Sequence, residues 1–226
     1  LELYPVVSEI GKLPPVDSKG NVFKEHLALE IEAGRSEDYL NTWRKLLANY
    51  KPMPSLSIVD KPDLNESNDF ELDIDKSTIT KVTALARQLS VPVKAILVLA
   101  YKQALAELLK TDQVTVDLVT SSRSSRLSDP LNAVGMFWNL LPVTTSITPD
   151  HRVALTELTD RIVKTDSHAL YPATKIKELF SVSNMTYAAF NYVNLSSVEN
   201  ERVTQEESDN ARFGNLNFSV ASASDR

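Results

Sequence analysis

Cysteine is absent from this chain, and glycine and histidine are scarce, with five glycines and three histidines among 226 residues. Without cysteine there is no disulfide framework, no thiolate nucleophile and no thiolate metal site. No two of the three histidines, His26, His151 and His168, are adjacent, and we expect none to have an Asp, Glu or His at metal-ligand spacing such as i and i+4 within a helix. We therefore interpret them as local structural residues and predict no metal site.

The charge balance and the longest apolar segment exclude two classes of binding surface. A formal net charge of −6 and a pI near 5.2 argue against nucleic acid, which requires a basic surface. The most apolar stretch, residues 91–109, contains Lys94, Lys102 and Glu107, too many charges for a membrane span. No basic and apolar leader opens the chain, which starts at Leu1. We expect a piece of a longer cytoplasmic protein.

Hydrophobic periodicity predicts helices that alternate with strands. The predicted helices cover residues 22–33, 37–50 (with Ser36 as N-cap), 77–89, 92–110, 152–170 and 173–180. The predicted strands cover residues 70–74, 114–120, 140–147, 185–193 and 216–220. In the helix from Pro92 we expect a buried stripe of Ile96, Leu97, Ala100, Ala104 and Leu108. The pattern predicts an α/β fold in which helices cover a mixed β-sheet.

The length suits one substantial domain or half of a two-lobed one. Residues 1–68 are interpreted as a helical lead-in followed by a polar linker, and residues 69–226 as the α/β core. Within the core, the acidic and polar segment 196–210 lacks a core-forming pattern, so we predict a mobile loop there.

Short motifs in a fixed order resemble the second half of a nonribosomal-peptide-synthetase condensation domain. The stretch from Gly135 to Pro142 is the most informative of them. The others are Leu1–Tyr4, Leu13–Pro15, Val22–Ala33 with Tyr39–Leu46, Asp117–Arg123, His168–Pro172 and Phe190–Asn194. The chain departs from the family pattern at Asp117 and Ser122, where similar domains usually have glycines, and at Ala173-Thr174, where they have Phe-Glu.

The resemblance implies one lobe of a two-lobed fold like that of chloramphenicol acetyltransferase. Similar domains carry a catalytic His-His-x-x-x-Asp-Gly motif in their first half, and this chain has no such motif. The resemblance therefore implies no catalytic residue in this chain, which we expect to be inactive alone.

Three residues are candidates for supporting roles. By resemblance, Arg123 matches the arginine that reaches across to the aspartate of the histidine motif, although Arg126 lies close enough to substitute. In a protein that lacks the partner aspartate, we expect Arg123 to behave as an ordinary surface residue. Asn139, with Trp138 beside it, matches residues near the substrate channel. An amide that closes a turn is the alternative reading of Asn139, and Trp138 is more typical of a core.

The resemblance also implies the reaction and its partners. Two groups carried as thioesters would be joined through an amide or ester bond. The partners would be the N-terminal condensation lobe and peptidyl or acyl carrier proteins, whose phosphopantetheine arms bring the substrates, with no cofactor bound directly. We expect the isolated lobe to associate with itself or with the first lobe. The alternatives are a lobe of a related acyltransferase that uses coenzyme A or another carrier, and a degenerate lobe kept for scaffolding or docking.

Overall fold

The computed structural model describes residues 22–54, 74–131 and 133–194, and the backbone of residues 216–222. The predicted strand at residues 70–74, apart from Ile74, and the predicted loop at residues 196–210 lie outside the described residues. So does the predicted boundary between residues 68 and 69. The described residues form two compact units, one containing residues 22–50, 115–131, 133–144, 161–194 and 216–222, the other residues 51–54, 74–114 and 145–160.

The predicted helices and strands occur in the predicted order among the described residues. The helices are α1 (Val22–Ala33), α2 (Glu37–Leu46), α3 (Lys76–Leu89), α4 (Val93–Leu109), α5 (His151–Ser167) and α6 (Ala173–Leu179). The strands are β1 (Gln113–Ser121), β2 (Trp138–Ser146), β3 (Ala188–Asn194) and β4 (Leu216–Ser222). Ser36 caps α2 as expected, because its side chain accepts a hydrogen bond from the Tyr39 N–H.

The strands form one mixed sheet in the order β2-β1-β3-β4. β1 runs parallel to β3, with Asp117 opposite Ala189, and β3 runs parallel to β4. The Ile147 N–H donates to the Asp112 carbonyl and the Ser122 N–H donates to the Phe137 carbonyl, each over 2.7 Å. From the first of these pairs to the second, the residue number rises at the β1 side, from 112 to 122, and falls at the β2 side, from 147 to 137. β2 therefore runs antiparallel to β1. The predicted α/β fold with a mixed sheet is confirmed.

The core of the first unit is built on an aromatic helix face. Trp43 and Leu47 are buried with Leu141, Tyr171 and Ile176. The sequence predicts that α2 continues to Tyr50, but the helix ends at Leu46. Tyr50 lies beyond the end of the helix, and its hydroxyl donates a hydrogen bond to the Met185 carbonyl at 2.8 Å. This hydrogen bond ties the segment after α2 to the loop before β3.

In the second unit, the predicted buried stripe of α4 is wrong. Ala100, Ala104 and Leu108 are exposed. The buried residues are Ala95, Val98, Leu99, Lys102, Leu105 and Ala106. Because apolar residues lie on most sides of α4, the hydrophobic periodicity does not identify the face that is buried. The orientation places Lys102 inside, where its Nζ donates to the Val114 carbonyl at 2.6 Å, so the buried amine has a hydrogen-bond partner.

Among the described residues no single helix has both the length and the apolar character needed to cross a membrane. α3 and α4 together meet those two criteria, but they are bent by 110° at the break between them.

Candidate functional site around Arg123

The loop between β1 and β2 spans residues 122–137 and begins with the polar segment 122–126. The hydrogen bond from the Ser122 N–H to the Phe137 carbonyl closes its base. Inside the loop, Ser124 accepts hydrogen bonds from the backbone N–H groups of Arg126, through its hydroxyl, and Leu127, through its carbonyl. Such serine turns fix the backbone of residues 124–127, a segment without glycine. The loop therefore holds the side chain of Arg123 in a defined place.

The guanidinium of Arg123 is anchored within this loop. Its Nη1 donates to the carbonyls of Pro130 and Ala133, the latter at 2.9 Å. The central guanidinium carbon lies 4.2 Å from the centre of the Phe137 ring. Within the described part of the chain, neither Nε nor Nη2 of Arg123 has a hydrogen-bond acceptor. The edge formed by these two nitrogens is the one that a carboxylate engages with two parallel hydrogen bonds.

Arg126, the other candidate, has a different environment. Its Nη2 lies 2.8 Å from a carboxylate oxygen of Glu32 on α1, and both side chains are more than half exposed. The Arg126 hydrogen bond and charge lower the pKa of Glu32, while Glu32 raises the pKa of Arg126. Arg126 is thus already paired with a carboxylate of this chain, which makes Arg123 the better candidate to bind another.

Large apolar side chains around the Arg123 loop are exposed. Leu131 is 80% exposed, Met136 61% and Val134 54%. Three such side chains within six residues are unusual for a surface loop, and exposed apolar clusters commonly mark interfaces. The loop therefore presents apolar residues on the same segment that holds Arg123.

Asn139 makes structural hydrogen bonds. Its Nδ2 donates to the carbonyls of Ala169 and Tyr171, each at 3.0 Å, and its Oδ1 accepts from the Leu140 N–H at 3.0 Å. All three hydrogen bonds join Asn139 to backbone atoms of this chain. They favour the interpretation that the Asn139 amide has a structural role. Trp138, the first residue of β2, is half-buried. The role of Asn139 and Trp138 in a substrate channel stays a prediction.

Asp117 places a carboxyl group inside the protein. Its side chain is 8% exposed, and Oδ1 has no hydrogen-bond partner among the described residues. Burial raises the pKa of Asp117 to about 7, although the positive charge of Lys177 opposes that shift. Asp117 and burial together also raise the pKa of Tyr50, burial being the larger cause. This acid stands where similar domains usually have a glycine.

The histidines have local contacts. The Nδ1 of His168 contacts the Lys164 carbonyl at 2.9 Å, and that of His151 contacts the Gln103 side chain at 2.9 Å. His26 is buried, and its Nε2 lies 3.4 Å from Oε1 of Glu30, four residues further along α1. This pair has the i, i+4 spacing that we expected no histidine to have, so that expectation is wrong for His26. No group of three His, Asp or Glu side chains that could hold a metal occurs in the described ranges.

Sequence reasoning missed the role of α1 at this site. Phe23 and His26 contact Phe137, and Glu25 accepts hydrogen bonds from both the N–H and the hydroxyl of Ser128. The signal was present in the helical spacing of Val22, Phe23, His26 and Leu29. The sequence could not show which segment this face contacts, because that segment lies about a hundred residues further along the chain.

Comparison with known proteins agrees with this architecture. The family model described as Condensation domain matches residues 11–225. The nonribosomal peptide synthetase vlms of Lecanicillium sp is 26% identical over 157 residues. The AMB antimetabolite synthetase AmbE of Pseudomonas aeruginosa is 27% identical over 151 residues. The matches cover 68% and 66% of this chain but only 2% and 7% of those synthetases.

Solved structures show the same fold. The first condensation domain of the CDA synthetase superposes with a TM-score of 0.62 at 13% identity, over 85% of this chain and 43% of that one. The chain thus spans less than half of that solved domain. Because the family model extends over nearly the entire sequence, the chain belongs to the condensation domain family.

Proposed function

We propose that this chain forms the second half of a condensation domain and supplies Arg123 to support the catalytic motif of the first half. The complete domain would join two acyl or aminoacyl groups through an amide or, less often, an ester bond. Carrier proteins would deliver these groups as thioesters on phosphopantetheine arms. The family membership, the two synthetase relatives and the absence of a His-His-x-x-x-Asp-Gly motif from this sequence support the proposal.

The geometry of Arg123 is the observation that carries the supporting role. Two backbone carbonyls and an aromatic ring fix the guanidinium, while its Nε–Nη2 edge has no acceptor in the described residues. A side chain fixed in this way loses little conformational entropy when it binds a carboxylate. Arg123 is therefore suited to receive the aspartate of the histidine motif, which would hold that motif in its active shape.

The exposed apolar residues beside Arg123 support the same partner. Leu131, Val134 and Met136 would be covered when the two halves pack together, and their burial would exclude water from the ion pair. A carboxylate–guanidinium pair is stronger where water is excluded, provided that both groups keep their hydrogen bonds.

The test compares two arginines of the same loop in the complete domain. Arg123→Ala should strand a buried carboxylate, lowering stability by about 3–5 kcal/mol and reducing the rate of condensation. Arg126→Ala should leave the rate unchanged, because Arg126 is paired with Glu32 on the surface. Condensation can be followed by mass spectrometry with loaded donor and acceptor carrier proteins. A full rate in Arg123→Ala would overturn the supporting role, and a folded complete domain without any condensation activity would favour a scaffold.

A further inference from the structure

The ring of Phe137 forms one wall of the Arg123 site. Phe137 is fully buried, and the guanidinium carbon of Arg123 lies 4.2 Å from its ring centre. A cation over the face of an aromatic ring is attracted by the negative potential of that face. The ring also restricts the guanidinium plane, because a planar group packs closely on a flat surface in few orientations. Phe137 thus helps to decide where the Nε–Nη2 edge points.

Helix α1 in turn fixes the Phe137 ring. The ring of Phe23 meets it edge-on, with centres 5.6 Å apart and an interplanar angle of 88°. The ring of His26 lies 4.8 Å from it at 61°. Gly135 permits this packing, since a Cβ there would lie 2.6 Å from a ring carbon of Phe23. Edge-to-face contacts of this kind stabilise a definite mutual orientation of the rings.

Polar contacts hold the same helix against the loop. The Glu25 carboxylate accepts from the Ser128 N–H at 2.8 Å and from its hydroxyl at 2.9 Å. The Glu32 carboxylate binds Arg126 at 2.8 Å. Helix α1 therefore contacts the loop through its aromatic face and through two carboxylates. The aromatic residues of α1 contact Phe137, and Phe137 in turn contacts Arg123.

We propose that Phe137 is a positioning residue that acts on condensation through Arg123, and that Phe23 and His26 of α1 hold it in place. This inference rests on the proposed function of Arg123. If Leu replaced Phe137, the cavity would stay largely filled, but the flat face that orients the guanidinium would be lost. The Nε–Nη2 edge would then meet the partner carboxylate in less favourable geometry, and the histidine motif would be held less firmly.

The experiment uses the complete condensation domain and a matched pair of Phe→Leu substitutions. Phe180 is the control, because it also makes an edge-to-face aromatic contact, with Tyr50, but none with Arg123. Each substitution is made alone and together with Arg123→Ala, and kcat, KM and melting temperature are measured. We expect Phe137→Leu to lower kcat about threefold to thirtyfold with KM unchanged, the range that a cation–π contact supplies. Phe180→Leu should lower the melting temperature while leaving kcat unchanged.

The double variants separate positioning from general loss of structure. If Phe137 acts through Arg123, Phe137→Leu should lower kcat no further once Arg123→Ala is present. An equal fall in both backgrounds, or no fall in either while Arg123→Ala alone is impaired, would overturn the positioning role and leave the proposed function standing. Full activity in Arg123→Ala would overturn the proposed function together with this inference. If Phe137→Leu does not fold, Phe23→Leu replaces it, with a smaller effect expected in the same direction and the same dependence on Arg123.

Discussion

The side-chain amide of Asn139 donates a hydrogen bond to the backbone carbonyl of Tyr171 at 3.0 Å and thereby joins two motifs that are separate in the sequence. Asn139 belongs to the stretch from Gly135 to Pro142, while Tyr171 belongs to the stretch from His168 to Pro172. The same nitrogen donates a second hydrogen bond, to the Ala169 carbonyl. These two hydrogen bonds consequently connect the start of β2 to the segment after α5.

Replacing this amide tests the link. Asn139→Asp removes both donated hydrogen bonds and sets a carboxylate against two carbonyl oxygens, so we expect a loss of about 2–4 kcal/mol in the free energy of unfolding. Asn41→Asp is the control, because Asn41 is exposed on α2 and uses only its oxygen, toward Arg44. Urea denaturation of both variants at neutral pH measures the difference. Equal stability of the two would show that the Asn139 bonds contribute nothing.

Arg123 should stabilise this chain even without its proposed partner. Arg123→Ala leaves the carbonyls of Pro130 and Ala133 without their donor and removes the cation above Phe137. We expect the chain to lose about 2–3 kcal/mol of unfolding free energy, and Arg126→Ala to cause little measurable change. Thermal melts of the two variants provide the comparison. An unchanged melting temperature for Arg123→Ala would mean that the guanidinium is not anchored in the loop.

Gly135 should tolerate no side chain. Its φ of +154° lies in a region that favours glycine, and an added Cβ would lie 2.6 Å from Phe23. Gly135→Ala should lower stability by about 1–3 kcal/mol. Gly34→Ala is the milder control, since its closest contact is the flexible Lys175 side chain at 3.1 Å. Comparable losses in the two variants, measured by chemical denaturation, would contradict the close approach of α1 to this turn.

The buried carboxyl of Asp117 should make stability depend on pH. Burial raises the pKa of Asp117 to about 7, whereas an unfolded chain has a value near 3.9. The folded state therefore keeps a proton that the unfolded state releases, and stability falls as the pH rises from about 4 to about 7. Asp117→Asn should remove this dependence and stabilise the chain by about 2–4 kcal/mol more at pH 8 than at pH 4.

The exposed Asp112 provides the control substitution, because Asp112→Asn makes the same change of side chain outside the buried site. Denaturation curves at pH 4, 6 and 8 give the comparison. A constant difference between Asp117→Asn and the parent protein over this range would show that the carboxyl titrates normally.

Local sequence patterns predicted most elements of this fold. The boundaries of α1 matched the prediction, and β1 emerged from its run of valines and threonines, which favour strands. The inward face of α4 was predicted wrongly, because apolar residues lie on most sides of this helix and the buried face includes Lys102, which donates to the Val114 carbonyl. Local patterns also did not predict the end of α2 at Leu46, after which Tyr50 donates a hydrogen bond to the distant Met185.

The candidate site was only partly predictable for the same reason. Arg123 could be found by its place in a motif, but its two carbonyl acceptors and the ring of Phe137 depend on how the loop folds. The sequence led us to expect that Arg123→Ala would barely affect a protein without the partner aspartate, whereas the contacts of the guanidinium predict a measurable loss. The contributions of Phe23, His26 and Glu25 were hidden because they arise from a contact between segments about a hundred residues apart.

Reconstitution from two halves tests the central claim most directly. Condensation between a loaded donor and a loaded acceptor carrier protein is measured with this chain alone, with the half that carries the histidine motif, and with both together. We expect product only from the combination, because a missing general acid–base group typically costs about 10²–10⁴-fold in rate. Formation of the condensed product by this chain alone, at the rate of the combination, would contradict the account.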